Sequence, residues 1–350
     1  MNLFKRPVKS VKFLTGFFIF IALLVGCEAP VPPSVLFKGE TMGTSYHVTL
    51  SSIVSASDSE LLQKDIDQLL LDINQSFSTY IKSSEISELN RYTGSEGQTK
   101  SKEFISLLDE ALRISHITQG AYDITIGPLV NLWGFGPEFK ADDVPSSVEI
   151  TKALEKVGHK NIVINRNTNQ VKKLNPDIYL DFSSIAKGYG VDKVAELVES
   201  NGFTDYMVEI GGEMRVRGVN PQGNHWRVAV EKPDASTRSI YKIINVTNIA
   251  IATSGDYRNF FEIGGVKFSH TIDPNTGRPV QHNLASVTVL DKNSMTADAW
   301  ATAFMVLGSK KGYDLAMENN LAVLFLIQEG DSIKDMATPR FEAIIKEQAL

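Results

Sequence analysis

Apolar residues recur at helical spacing in two segments of the N-terminal half of the chain. The first segment follows Ser57-Asp58-Ser59-Glu60, which has the Ser-x-x-Glu form of a capping box, and its apolar stripe consists of Leu62, Ile66, Leu69, Leu70, Ile73 and Phe77. The second segment ends near Gly120, and its apolar face consists of Phe104, Leu107, Leu108, Ala111 and Leu112. This pattern predicts two amphipathic helices, preceded by a strand over residues 45–50.

Short β-rich runs dominate the chain from residue 160 onward, and Gly, Pro, Asn or Asp residues bound each of them. They cover residues 161–165, 178–182, 206–210, 226–231, 241–246 and 285–290. Two predicted helices interrupt these strands, over residues 184–200 and over residues 294–307, the second ending before Gly308. Because strands and helices do not alternate regularly, the pattern favours an α+β fold over a doubly wound sheet.

The first residues have the pattern of an export signal. Four basic residues between positions 5 and 12 precede an apolar run over residues 13–25, which is short for a membrane-spanning helix. The run ends in Leu24-Val25-Gly26-Cys27, which resembles a bacterial lipobox, and a Pro-rich segment follows. We expect a signal peptide over residues 1–26, a tether over residues 27–36 that begins with a lipid-modified Cys27, and a folded body over residues 37–350. An uncleaved signal anchor is the alternative.

Composition and charge exclude several classes of function. The 350 residues are 43% hydrophobic and 22% charged, as in ordinary globular proteins. The net charge is −6. The charged residues of the predicted signal peptide are all basic, so its loss would make the chain more acidic, and no nucleic acid is expected as a partner. The signature motifs of α/β-hydrolases, zinc proteases, P-loop proteins and dinucleotide-binding folds are absent from the sequence.

Six polar, glycine-rich segments have no apolar pattern that would explain them. They begin at Lys38, Gly120, Asp181, Glu209, Ala252 and Ser269, and they read KGETMGT, GAYDITIGP, DFSSIAKGYG, EIGGE, ATSGDYR and SHTIDPNTG. Glycine lets the backbone approach a ligand closely, so loops of this kind are typical of a binding site.

Together with ADAWAT at residues 297–302, these segments resemble, in this order and spacing, the ApbE family of FAD:protein FMN transferases. The resemblance covers about residues 37–330. It implies an ApbE-like (T-fold-like) α+β fold of mixed sheets with packed helices, in which FAD is bound in a cleft between the sheet layers. It also implies an enzyme that binds FAD and Mg²⁺, transfers FMN to a Thr or Ser hydroxyl of an acceptor protein through a phosphoester bond, and releases AMP.

The resemblance further implies where the enzyme works and on what. The implied acceptors are subunits of membrane redox complexes of the Na⁺-translocating NADH:quinone reductase or Rnf type. The expected location is the periplasmic side of the cell membrane, with a lipid anchor on Cys27. These acceptors favour the inner membrane, whereas Glu28 after the cysteine leaves the outer membrane open. A Mg²⁺-dependent FAD pyrophosphatase and a non-catalytic flavin-binding lipoprotein are the alternative functions.

The spacing of Asp298 and Thr302 predicts a metal site. Side chains four residues apart share one face of a helix, which we expect here to be exposed. A carboxylate and a hydroxyl are oxygen ligands that Mg²⁺ accepts when phosphate oxygens and waters complete its octahedron. The alternative is an acid facing the helix dipole beside a surface threonine. By resemblance the backbone carbonyl of Ser184 is a third ligand. Family members often have a carboxylate at the position of Ala301, and its absence here puts a second metal ion in doubt.

A nucleotide site is predicted where the strand over residues 178–182 meets the next helix. Asp181 closes that strand, and Ser183 and Ser184 are good N-cap residues. By resemblance Asp181 and Lys187 contact FAD. Each of Gly188 and Gly190 costs about 1 kcal/mol inside a helix relative to Ala, which is easier to understand if something large approaches the first turns. A plain capped helix with a solvated Lys187 is the alternative.

Other residues correspond by resemblance to positions that line the FAD site. These are Met42, Tyr80, Ala121, Tyr122, Asp123 and, through its backbone, Ile272. Tyr and Met suit a flat heteroaromatic ligand, although both are as often core residues. Arg258 is a predicted clamp for the pyrophosphate. Trp133 is expected to be structural, and the segment from Glu209 to Glu213 is interpreted as a tight sheet turn without a catalytic role.

His270 is the predicted general base. It is one of six histidines, and it lies in Ser269-His-Thr-Ile-Asp-Pro beside a turn. An imidazole can take the proton of an acceptor hydroxyl near neutral pH. The alternative is a structural histidine that hydrogen-bonds Asp273 or a phosphate oxygen. The other five histidines have no comparable setting and are expected to be structural.

Overall fold

The structure is a computed structural model that describes residues 33–137, 144–233, 239–256, 260–263 and 266–348, and only the backbone of residues 261, 263, 266 and 267. The predicted signal peptide, Cys27 and Arg258 lie outside these residues. Within the described ranges, no helix is both long and apolar enough to cross a bilayer.

The described helices and strands follow one another in the order of an α+β protein. They are β1 (Val35–Thr41), β2 (Thr44–Leu50), α1 (Ala56–Phe77), α2 (Glu85–Arg91), β3 (Gln98–Thr99), α3 (Lys102–Ile117), α4 (Gly127–Leu132), α5 (Ser147–Leu154), β4 (Ile162–Asn165), β5 (Gln170–Lys173), α6 (Ala186–Ser200), β6 (Tyr206–Ile210), β7 (Glu213–Arg217), β8 (Trp226–Glu231), β9 (Ile240–Val246), β10 (Ile249–Gly255), β11 (Phe260–Ile263), β12 (Val266–Ser269), β13 (Ile272–Asp273), β14 (Arg278–Pro279), β15 (Leu284–Asp291), α7 (Ser294–Glu318), β16 (Ala322–Glu329), β17 (Ser332–Ala337) and α8 (Pro339–Gln348).

Eight of the strands form one antiparallel sheet in the order β1-β2-β6-β7-β10-β15-β16-β17. Its central strands are buried on both faces. In β16, Val323 and Phe325 pack into the core that contains α3 and α7, whereas Leu324 and Leu326 pack against β8, β9 and Phe341 of α8. Such strands read as continuous apolar runs without alternation, so the sequence pattern did not indicate β10 or β16.

Most predicted elements are confirmed, some to the residue. The strands predicted over 206–210 and 226–231 coincide with β6 and β8. The predicted apolar stripes of α1 and α3 are buried, except that Leu69 is only partly so. Gly308, with φ 75° and ψ 174°, breaks α7 where the second late helix was predicted to end. The capping box was misplaced, because the N-cap of α1 is Ser55, whose hydroxyl accepts the amide N–H of Asp58.

The strand predicted over residues 178–182 is wrong. Among the described residues, one isolated parallel bridge, between Ile126 and Tyr179, pairs this segment, and the N–H of Asp181 donates to the carbonyl of Ile124 at 2.8 Å. Side chains take several of its other backbone hydrogen bonds. The amide group of Asn90 bonds both the N–H and the C=O of Leu180, at 2.7 and 2.9 Å, and the Lys173 ammonium donates to the carbonyl of Ile178. The tether boundary is also corrected, because β1 begins at Val35 within the predicted tether.

Candidate active site

A cavity of about 370 Å³ collects most of the predicted site residues. The residues that line it include Ala121, Tyr122, Asp123, Asp181, Ser184, Lys187, His270, Ile272, Asp298 and Thr302. The main sheet contributes Glu213 and the end of β10, and the β13–β14 ribbon contributes Ile272, so two separate sheets line this cleft. The sequence motifs therefore converge on one site, which we call the cleft.

The close crossing of α6 and α7 brings two of these motifs together. A side chain at Gly188 would lie 2.3 Å from the carbonyl oxygen of Ser294, so only glycine allows the two helices to approach this closely. The side chains of Met42 and Ile210 similarly leave little space at Gly190. The prediction that a ligand explains these glycines is thereby corrected: the protein's own packing requires Gly188, and side chains of the core crowd Gly190.

Asp298 is buried within the cleft and not on the exposed helix face that was predicted. Its side chain is 3% exposed, and Oδ2 accepts the backbone N–H of Gly188 at 3.0 Å. Burial raises the pKa of Asp298, which the Lys187 ammonium and this hydrogen bond oppose. Thr302 is partly buried one turn later, with its Oγ1 3.3 Å from Oγ of Ser254 at the end of β10.

Lys187 forms an ion pair with Glu213, with Nζ 2.6 Å from Oε1. The lysine is therefore not a solvated surface residue. Burial would lower the pKa of Lys187, but the nearby carboxylates, Glu213 above all, raise it overall. Burial raises the pKa of Glu213 to about 7, against the opposing charge of Lys187 and with the support of Asp298. The Lys187 ammonium thus interacts with two buried carboxyl groups, those of Glu213 and Asp298.

Sequence reasoning missed Glu213 as a residue of the site. The turn predicted around it is confirmed, because Gly211 and Gly212 have positive φ between β6 and β7. However, Glu213 is 3% exposed, and its Oε2 has no hydrogen-bond partner among the described residues. Glu213 is the first residue of β7, and no local signal in the sequence marks it, because its burial depends on tertiary packing alone.

The loop before α6 is held by side chains and is not capped as predicted. Ile185 is the N-cap of α6 and forms no side-chain cap bond. The Ser184 hydroxyl instead donates to the phenol oxygen of Tyr122 at 3.1 Å, and the Asp181 carboxylate accepts the N–H of Ser183 at 2.8 Å. Burial raises the pKa of Tyr122, so the phenol stays neutral. The predicted N-cap roles of Ser183 and Ser184 are therefore wrong.

Asp123 organises the wall of the cleft. One carboxylate oxygen accepts from the N–H and the hydroxyl of Thr125, at 2.9 and 2.6 Å. The other accepts from the backbone N–H of His159 at 2.8 Å and lies 3.1 Å from its Nδ1. With both oxygens bonded inside the protein, Asp123 contributes to the cleft by fixing the loop that contains Ala121 and Tyr122.

Met42 and Tyr80 are not among the residues that line the cleft. Met42 lies in the β1–β2 turn with φ 51°, and its methyl group packs toward Gly190 and the core. Tyr80 is 70% exposed, yet Asp181 is near enough for its charge to add to the effect of burial, and both raise the pKa of the phenol. Tyr80 is therefore an exposed residue outside the lining of the cleft.

His270 lies in the bend after β12, where it lines the cleft. Its ring meets the edge of Phe135, with 6.2 Å between ring centroids. Trp133 is structural, as predicted: it is 4% exposed, stacks on Phe268, and donates its indole N–H to the carbonyl of Gly277 at 2.8 Å. This packing holds the loop from Ile272 to Gly277 beside His270.

The oxygen donors of the cleft can be compared with the ligands that Mg²⁺ prefers. No group of three acidic, histidine or cysteine side chains suited to a metal ion occurs in the described ranges. The cleft offers instead a buried carboxylate on Asp298, a hydroxyl on Thr302, and the unpartnered Oε2 of Glu213 near Lys187. Mg²⁺ prefers hard oxygen donors and keeps several waters or phosphate oxygens, so the residues present fit this ion.

Known proteins of one family match this chain over nearly its whole length. A model of the ApbE family matches residues 42–325. The FAD:protein FMN transferase of Vibrio cholerae is 46% identical over 325 residues, which are 93% of this chain and 96% of that protein. The FAD:protein FMN transferase of Escherichia coli K12 is 38% identical over 330 residues, or 92% of this chain and 94% of that protein.

Solved structures agree in fold as well. The flavin transferase ApbE from Vibrio cholerae superposes with a TM-score of 0.83 at 44% identity, covering 89% of this chain and 99% of that chain. The apo form of the flavinyl transferase ApbE from Pseudomonas stutzeri gives a TM-score of 0.81 at 35% identity, covering 89% and 97%. By sequence motifs, family match and fold, this chain belongs to the ApbE family.

Proposed function

We propose that this chain transfers FMN from FAD to a Thr or Ser hydroxyl of an acceptor protein and releases AMP. The observation that supports this function is the convergence of Asp181, Lys187, His270, Asp298 and Thr302 on a single cleft. The relatives named FAD:protein FMN transferase cover nearly the full length of the chain, so the whole body corresponds to the enzyme.

The reaction breaks a phosphoanhydride bond of FAD and forms a phosphoester bond to the acceptor. The acceptor oxygen forms a bond to the phosphorus of the FMN half of FAD, the pyrophosphate bond breaks, and its bridging oxygen leaves with AMP. His270 takes the proton of the attacking hydroxyl. The Lys187 ammonium, held by Glu213, places a fixed positive charge in the cleft where the pyrophosphate charge must be balanced.

Magnesium would be held by the carboxylate of Asp298, the hydroxyl of Thr302 and the backbone carbonyl of Ser184. When bound, Mg²⁺ supplies charge neutralisation at the phosphate oxygens that change in the reaction. The chain itself positions these ligands. The Gly188 N–H holds one oxygen of Asp298, Ser254 adjoins Thr302, and Tyr122 bonds the Ser184 side chain.

A Mg²⁺-dependent FAD pyrophosphatase would use the same residues with water as the acceptor. A non-catalytic flavin carrier would need neither a base nor a metal ligand set in its cleft. The buried carboxyl groups of Asp298 and Glu213, beside the partly buried Lys187, favour an enzyme. Burying ionisable groups costs stability, and a simple binding pocket does not require them.

Coexpression with an acceptor subunit tests the proposed reaction. We expect the acceptor, a flavin-bearing subunit of a Na⁺-translocating NADH:quinone reductase or Rnf-type complex, to gain the mass of one esterified FMN on a Thr or Ser peptide. The reaction should require FAD and Mg²⁺ and should release AMP in equal amount. FAD cleavage to free FMN and AMP, with an unmodified acceptor, would identify the pyrophosphatase instead.

We also propose that the protein is anchored by a lipid on Cys27 at the periplasmic side of the membrane, the inner membrane being favoured by the proposed acceptors. Cys27→Ser removes the sulfur that would bear the lipid, so we expect the protein to move from the membrane fraction to the soluble periplasmic fraction. Cell fractionation with labelled fatty acid measures this change. Unaltered membrane association of Cys27→Ser would point to an uncleaved signal anchor.

A further inference from the structure

Asp192 joins α6 to the first residues of α7 from outside the cleft. Its side chain is buried, with 7% exposure, and each carboxylate oxygen accepts one backbone N–H. Oδ1 accepts from Ser294 at 3.0 Å, and Oδ2 accepts from Met295 at 2.9 Å. These N–H groups belong to the first turn of α7, where a helix has no partners of its own for its amide groups.

The N-terminus of α7 has no cap from its own sequence. Asn293 occupies the N-cap position with φ −117° and ψ 134°, but its side chain forms no cap bond. The hydroxyl of Ser294 is buried without a hydrogen-bond partner among the described residues. The carboxylate of Asp192 therefore takes the place of the local cap, and a negative charge at this end also suits the helix dipole.

The contacts between α6 and α7 follow a regular progression toward the cleft. Asp192 contacts Ser294, and Gly188 contacts Asp298 one turn along each helix. Thr302 lies one turn further along α7, and Ser184 lies in the loop that precedes α6, both in the lining of the cleft. The absent side chain of Gly188 allows the close approach at the same crossing. An error in the register of α7 at Asp192 would thus be transmitted to both metal ligands on α7.

Arg215 forms an ion pair with Asp192. Its guanidinium lies 3.3 Å from Oδ1 of Asp192 and 3.2 Å from Oε1 of Glu199. Glu199 shares this arginine but makes no contact with α7 among the hydrogen bonds and ion pairs described here. The two acids therefore form a matched pair, of which only Asp192 holds the helix that contains Asp298 and Thr302.

From these contacts we propose that Asp192 is a positioning residue for the magnesium site, and this inference rests on the proposed function. It acts by fixing the register of α7 against α6, without touching the metal or the substrate. Residues that orient metal ligands typically change metal affinity by about 10–100-fold when they are replaced.

Mg²⁺ affinity of the full-length chain tests this role directly. Mg²⁺ is titrated in the presence of FAD, and its stabilisation of the fold is followed by thermal unfolding. We expect Asp192→Asn, which keeps one acceptor oxygen, to raise the Mg²⁺ concentration for half-maximal stabilisation by about 10–100-fold. Glu199→Gln, the matched control, should leave it unchanged. The transfer rate of Asp192→Asn should recover at high Mg²⁺.

A double variant separates positioning from simple helix stabilisation. Asn293→Asp added to Asp192→Asn offers α7 a local cap, which should recover thermal stability but not Mg²⁺ affinity. Equal Mg²⁺ affinity of Asp192→Asn and the native chain, or full recovery of affinity in the double variant, would overturn the positioning role. No Mg²⁺ response in the native chain would instead refute the proposed magnesium site itself.

Discussion

Asp298→Asn is expected to lower FMN transfer by about 10³-fold or more, because it removes the protein carboxylate that the proposed magnesium ion requires. Such an ion stabilises the transition state by several kcal/mol. The asparagine Oδ1 can still accept the Gly188 N–H, so the helix crossing is retained. The initial rate of FMN ester formation on the acceptor, measured at saturating FAD over a range of Mg²⁺ concentrations, tests this expectation.

The fold should tolerate this change even though Asp298 is buried. Lys187 keeps its ion pair with Glu213. Burial raises the pKa of Asp298, so the charged form of Asp298 is disfavoured in the metal-free protein. At pH values above the usual pKa of an Asp, the charge of Asp298 therefore lowers the stability of the native chain. Without metal, Asp298→Asn should unfold at the same temperature as the native chain or at a higher one. Near-native transfer by Asp298→Asn at low Mg²⁺ would refute the metal assignment.

Thr302→Ala is the matched variant on the same helix. It removes a neutral oxygen that a water can replace, so we expect a smaller loss of transfer that added Mg²⁺ partly restores. A difference of this kind between the two variants would separate loss of a charged ligand from general damage to α7.

His270→Asn is expected to lower the transfer rate by about 10²–10⁴-fold while FAD affinity changes only a few-fold. The asparagine can still hydrogen-bond but cannot take the proton of the acceptor hydroxyl. In the native enzyme, transfer should decrease with falling pH once an imidazole base is protonated, since the protonated ring cannot act as a base. Single-turnover rates at saturating FAD, measured over a range of pH values, should show this decrease in the native protein and not in His270→Asn.

His47→Asn provides the control for this experiment. His47 is half exposed on β2, where it contacts Glu209 and does not line the cleft. Its replacement should leave both the rate and the pH profile unchanged. If His270→Asn weakens FAD binding strongly but leaves the single-turnover rate intact, His270 holds the substrate, and the base lies elsewhere in the cleft.

The sequence by itself determined the elements with a clear period and a clear stop. The stripes of α1 and α3 require one buried face, and Gly308 interrupts α7 where its φ of 75° is unfavourable for other residues. Polar, glycine-rich segments also identified most of the residues that line the cleft, because these segments lack the apolar pattern of a helix or strand.

Tertiary structure alone decided which polar residues are buried together. Nothing local distinguishes Glu213 from a residue of an exposed hairpin, but Lys187 of α6 and the walls of the cleft bury it. Residues 178–182 have the composition of a strand, but Asn90 and Lys173 take the hydrogen bonds that a neighbouring strand would have made. Likewise α7 begins without a local cap because Asp192 supplies one from another helix. Hydrogen bonds and ion pairs between distant segments leave no periodic trace in the sequence, so only the assembled fold shows them.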